Sequence, residues 1–220
     1  MKKVNYQKTC SIVLNRLSPR IKDIIERRFG LNGKEKHTLE SVGRVYGLTR
    51  ERIRQIEKDG FLKIKKAKEE FADIYDYFKK VINSFGGYKE ENSLLSFLSS
   101  ESQDFAGIKS KINPDKEKRV KNCILLFLTL SGDFQKISEK DDLRPFWTTD
   151  KNCLPLIEQA NKKLISFLER RGDVISLEEL FKRQKDEISK IINNKKLTKK
   201  ILESILEISK EIQKSPEGEY

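Results

Sequence analysis

The sequence predicts a mainly α-helical protein built of small modules, and three observations carry that prediction. Gly and Pro are scarce, at 11 and 5 residues in 220, which leaves little material for strands and long loops. Apolar residues recur at spacings of three and four through most of the chain, the period of one helical face. Residues 133–149 depart from this: aromatic and β-branched residues flank a polar turn there, the pattern of a β-hairpin.

Taken in order, Ile12, Val13 and Leu17 mark a short first helix. Ser18 can cap the second, and Pro19 suits its first position. Ile21, Ile24, Ile25 and Phe29 form its apolar face, and Gly30 ends it. Residues 32–37 read as a polar loop, with His37 in solvent. Thr38 caps the third helix, with Leu39, Val42 and Val45 expected inward. Gly47 is a stop that tolerates positive φ, Leu48 an apolar pin, and Thr49 the cap of a fourth helix. Ile53, Ile56 and either Leu62 or Ile64 face inward on it. Two short helices, a Gly turn and a longer third helix make a helix-turn-helix at residues 38–56.

Charge fits that motif. Residues 1–80 hold 21 Lys and Arg against 11 Asp and Glu, whereas residues 81–220 hold 25 against 23. A basic front on a near-neutral remainder suits a nucleic-acid-binding module with attached domains, and it equally suits a lysine-rich solvated surface. The outer face of the fourth helix opens with Arg50, Glu51 and Arg52, then Arg54 and Gln55. Arg pairs with guanine, Glu accepts from cytosine N4 and Gln pairs with adenine. Arg50, Glu51 and Gln55 are the candidate base readers. Thr49, Arg52, Arg54, Arg44 and Lys58 are the candidate backbone contacts, with Lys63 and Lys65 also near phosphates.

The string from Thr38 to Glu57, TLESVGRVYGLTRERIRQIE, resembles region 4 of the sigma-70 family of bacterial transcription initiation factors. SPRIKDIIERRFGL before it is similar to the preceding helix of that region. The resemblance spans residues 4–66. It implies that Arg50, Glu51 and Gln55 read a −35-type promoter element, and that Arg52 and Arg54 lie on phosphates or face an activator. It further implies a contact with the flap of the RNA polymerase β subunit through the apolar surface of the first two helices. Gly60 stands where the family usually has Ala, and a helical Gly costs about 1 kcal/mol against Ala, so a kink or a helix end is expected there. Nothing here resembles the sigma segment that melts promoters, so the chain is not expected to open them alone.

Beyond the motif, Phe71, Ile74, Tyr75, Phe78, Val81, Ile82 and Phe85 line one helical face, stopped by Gly86-Gly87. That helix opens the first copy of a repeat of roughly 85 residues. The copy goes on with a short helix (92–99), a longer one (115–130) and the hairpin, in which Trp147 reads as a core residue. Three helices with a terminal hairpin form a winged helix. The helix at 115–131 starts with Lys116, Lys118, Arg119 and Lys121, equally suited to DNA or to protein. The second copy holds a helix ending at Gly172, a short helix from Ser176 to Phe181 and a long one from Thr198 to Ile212. It stops at residues 215–220, where its own hairpin would begin, so a fragment is expected. The layout resembles proteins that join region 4 to HARE-HTH modules, and the related module of the RNA polymerase delta subunit. The expected fold is therefore mainly α. It has a four-helix region with the helix-turn-helix (1–66), a winged helix with a small hairpin (67–150) and a second three-helix unit lacking its wing (151–220).

Catalysis finds little support. One histidine permits no catalytic triad outside its loop, and no glycine-rich phosphate loop occurs. Asp141-Asp142 read as turn residues rather than metal ligands. No cofactor is expected. Cys10, Cys123 and Cys153 are odd in number and far apart, which fits reduced buried thiols. Without a signal peptide or membrane span the protein is expected in the cytoplasm. Three functions remain open: a transcription regulator binding double-stranded DNA, an adaptor on the polymerase flap with little DNA affinity, and the specificity module of a larger DNA-modifying enzyme. Homodimerisation is a further expectation, since a lone helix-turn-helix seldom binds tightly enough.

Overall fold

A computed structural model describes residues 4–66, 68–105, 113–193 and 196–220. Ten α-helices and three short strands are seen among them: α1 (Tyr6–Leu14), α2 (Pro19–Phe29), α3 (Leu39–Tyr46), α4 (Arg50–Lys65), α5 (Ala72–Ser84), β1 (Tyr88–Glu90), α6 (Glu91–Ser100), α7 (Pro114–Ser131), β2 (Gln135–Ile137), β3 (Phe146–Thr148), α8 (Cys153–Arg171), α9 (Leu177–Ile191) and α10 (Lys199–Ile208). The mainly helical expectation holds, with one small sheet.

The chain divides into two compact units, Met1–Phe78 with Leu95–Gly132, and Lys79–Leu94 with Asp133–Tyr220. This differs from the three segments expected, and α7 supplies the reason. Val120 and the run from Asn122 to Leu128 are all buried. A helix apolar on every side must be enclosed, and α7 is enclosed in the first unit by α1, α2 and α4. Phe127 lies 5.8 Å from Phe71, ring to ring. The Asn122 side chain donates to Gly30 O at 3.0 Å, fixing the end of α2. The basic start of α7 is also occupied within this unit. Lys116 Nζ donates to Asp104 O at 2.7 Å, Lys118 pairs with Glu35, and Lys121 pairs with Glu117 at 2.6 Å.

In the second unit β3 is the central strand, antiparallel to both β1 and β2. The expected hairpin is present, with Ile137 opposite Phe146. β1, at Tyr88–Glu90, is an addition that three residues gave no period to reveal. The order α5-β1-α6-α7-β2-β3 and the strand order β1-β3-β2 follow the winged-helix succession of elements, although α7 belongs to the first unit and the strands to the second. Trp147 is buried, and its Nε1 donates to Glu91 Oε2 at 2.9 Å. The helix lengths of the second copy are the reverse of those expected. The helix beginning after Ser176 runs 15 residues, and the one after Thr198 stops after 10, at Ile208. The last residues return to the unit, where Tyr220 and Ile175 exchange two backbone hydrogen bonds of 2.9 Å.

Candidate nucleic-acid interface

Each end of the helix-turn-helix is set by its own residues. Thr38 Oγ1 accepts from Ser41 N–H at 3.0 Å to cap α3. Thr49 Oγ1 accepts from Arg52 N–H at 3.2 Å to cap α4. Ser18 precedes α2 in extended geometry but makes no side-chain cap; Pro19 fixes that start. Gly47, at φ 63°, is the left-handed residue that turns the chain, a conformation costly for any residue with a Cβ. Gly43 is needed for a different reason: a Cβ there would stand 2.5 Å from Leu48 O, so the turn rests directly on the α3 backbone.

Ile24, Val42, Ile53 and Ile56 form the small core, flanked by Ile21, Leu39, Tyr46 and Leu48. Val45, expected inward, is 56% exposed. At about 100° per residue, position 46 returns to the azimuth of Leu39 whereas position 45 falls well off it, so Tyr46 takes the inner place. Its hydroxyl donates to Asp23, which also accepts from Arg27 Nε at 2.7 Å. Ile64 is the inward residue late in α4, while Leu62 is 52% exposed. Ile12 is likewise exposed, whereas Val13 and Leu17 are buried. His37, expected in solvent, is half-buried, with Nδ1 3.1 Å from Ser41 Oγ.

Gly60 neither ends nor interrupts α4, which runs unbroken from Arg50 to Lys65. A Cβ at position 60 would lie 2.7 Å from Ile21 Cγ2 and 2.9 Å from Ile25 Cδ1. The glycine lets α4 cross closely over α2, an advantage that outweighs its poor helix propensity. Arg28 Nε bonds Glu57 Oε1 at 3.0 Å and adds a partly shielded ion pair to the same crossing.

All eight candidate contact residues, Arg44, Thr49, Arg50, Glu51, Arg52, Arg54, Gln55 and Lys58, are exposed. Several already pair with one another. Arg54 forks onto Glu51 with bonds of 2.8 and 2.7 Å. Arg52 Nη1 donates to Gln55 Oε1 at 3.1 Å, and Arg44 bridges Glu40 at 2.6 Å. The Arg54 hydrogen bonds hold the Glu51 carboxyl below the usual carboxylate range. These pairings, i,i+3 within α4 and i,i+4 between Glu40 and Arg44, were not anticipated from the sequence, although their spacing is the signal. Among the described residues there is no cluster of three or more His, Cys, Asp or Glu able to hold a metal. The three cysteines are free and buried, and no described helix is long and apolar enough to cross a membrane.

Residues 13–66 match the family model described as Sigma-70, region 4. Over 54 residues the chain is 50% identical to the RNA polymerase principal sigma factor HrdD of Streptomyces coelicolor, a match covering 24% of this chain and 16% of that protein. It is 49% identical over 53 residues to the RNA polymerase sigma factor SigA of Listeria monocytogenes, covering 24% of this chain and 14% of the relative. It is 42% identical over 53 residues to the chloroplastic RNA polymerase sigma factor sigF of Arabidopsis thaliana, covering 24% and 10%. The chain thus spans about a sixth or less of these relatives. Residues 13–66 are a sigma-70 region 4 module. The resemblance of the later residues to HARE-HTH modules has no counterpart in these matches.

Proposed function

We propose, with the region 4 module as premise, that this chain is a sequence-specific transcription regulator that reads a −35-like promoter element in double-stranded DNA. Arg50, Glu51 and Gln55 read base edges in the major groove. Arg52, Arg54, Arg44 and Lys58 lie along phosphates. Thr49 Oγ1 accepts in the cap, and its hydroxyl hydrogen remains available to a phosphate. On DNA, Arg52 exchanges Gln55 for a phosphate and frees that amide to pair with a base.

The observation that carries the reading is the uninterrupted exposure of this polar face while the opposite face of α4 is packed on Ile24 and Ile25. An adaptor reading needs free apolar surface on α1 and α2. In this unit α7 covers both, and Val13, Leu14, Leu17, Ile24 and Ile25 are buried. That favours DNA over the polymerase flap as the primary partner. Fluorescence anisotropy on a labelled −35-type duplex tests it. Arg50→Ala should weaken binding by about 5- to 150-fold, the loss of about 1–3 kcal/mol from one bidentate base contact. It should also relax the preference at a single base pair. Equal affinity for scrambled duplexes, unchanged by Arg50→Ala, would refute the proposal.

A further inference from the structure

The second unit carries an open groove of about 360 Å³ where the end of α8 meets the loop before α9 and the segment after α10. Ile165, Leu168 and Val174 are its apolar side, and Glu169, Asp173 and Glu211 its charged side chains. Val174 is 60% exposed, and all three carboxylates are exposed. None of these carboxylates is in an ion pair among the described residues. Elsewhere in the same unit Glu179, Glu187, Glu203 and Glu207 each hold a cation.

The first unit carries a hollow of the opposite charge, about 640 Å³, beside α2 and the last turns of α4. Ile21, Leu62, Lys63, Lys65 and Lys66 line it, with Asp59. Leu62 is 52% exposed. The three lysines are exposed and are in no ion pair among the described residues. Each unit thus presents a large apolar side chain to water, one among carboxylates and the other among lysines. Exposed apolar surface rimmed by charge marks an interaction site.

We infer that the Val174 groove of one copy of this chain receives the Leu62 patch of a second copy. Leu62 rests on Ile165 and Leu168, Val174 enters the hollow beside Ile21, and the lysines face Glu169, Asp173 and Glu211. Three lysines, offset in part by Asp59, meet three carboxylates. Either patch laid on its own counterpart would set like charges opposite one another, which disfavours a contact of identical surfaces. The contact is therefore heterologous. Lys63 and Lys65, expected near phosphates from the sequence, serve a protein contact instead.

The test is sedimentation velocity of the full chain without DNA. The native chain should self-associate with a Kd of about 1–100 µM, as suits a small interface, and more weakly as salt is raised. Lys63→Glu with Lys66→Glu should weaken association by about tenfold or more, and so should Glu169→Lys with Asp173→Lys. Mixed together, these two variants should associate again, because each supplies the patch that the other's reversed patch complements. All four positions are exposed, so circular dichroism should be unchanged. Should a reversed chain misfold, Val174→Ser decides: it should weaken association by about fivefold or more. A monomer throughout that range, association indifferent to both reversals and to Val174→Ser, or no recovery on mixing folded variants overturns the inference.

Discussion

Asp23 illustrates how single residues tune this module. Burial pushes its carboxyl up, but hydrogen bonds from Arg27 and Tyr46 outweigh that and hold it below its ordinary value. A carboxyl depressed in the folded state adds stability at pH above its unfolded value of about 3.9. That stability disappears as pH falls through the lower folded value. Asp23→Asn should therefore melt below the native protein near neutral pH, and the gap should close in melts run below about pH 4. A gap independent of pH would mean the carboxylate charge is unimportant. Glu51 follows the same sign: with Arg54 on it, it stays ionised below the usual carboxylate range. Its role as a base acceptor should therefore produce no step in DNA affinity between pH 5 and 7, measurable by anisotropy in constant salt. The reading residues were legible in the sequence because exposure on a short helix follows from period alone. The pairing of Glu51 with Arg54 was legible in their spacing, and Tyr46 in place of Val45 in the helical period counted from Leu39; the rotamers that close the Arg54 fork were not.

At the scale of elements, two glycines make opposite demands from similar crowding. Gly43 faces the Leu48 carbonyl of the backbone, whereas Gly60 faces the ends of Ile21 and Ile25 side chains. Backbone cannot yield without moving the turn, while isoleucine tips can rotate. Gly43→Ala should be the more destabilising substitution in urea unfolding. Gly60→Ala should lose less, because overpacking of about 1–3 kcal/mol is partly offset by about 1 kcal/mol of helix propensity. The reverse order would show that the turn does not rest on α3 as described. Capping residues announced most helix starts. The extents of α9 and α10 were less legible, since exposed polar residues extend a helix or leave it according to what lies alongside.

On the scale of the whole molecule, α7 joins the motif in the first unit although it lies far from it in sequence. A fragment ending at residue 66 keeps the Ile24, Val42, Ile53 and Ile56 cluster. It loses the helix against which α1 packs with its buried Tyr6, Cys10, Val13 and Leu14. Each large apolar side chain returned to water costs about 1.5–3 kcal/mol, so the fragment should melt well below the intact chain by circular dichroism. Equal melting would show that α7 is dispensable to the module. The net charge of +12 bears on affinity rather than on fold. With four basic side chains on phosphates, the logarithmic salt slope of DNA binding should be about −3 to −4, and Lys58→Ala should reduce it by about one.

The sequence by itself determined the helix-turn-helix, its caps, its glycine turn and its outward polar face. These depend on contacts within a few turns of chain, where residue type and spacing dictate geometry. Tertiary structure alone decided that α7 is enclosed with the motif, that Gly60 is a close-packing contact, and that Glu169, Asp173 and Glu211 border one groove. Those outcomes join residues tens of positions apart. Their physical cause is the competition among all apolar and charged surfaces for burial and partners, which no local period encodes.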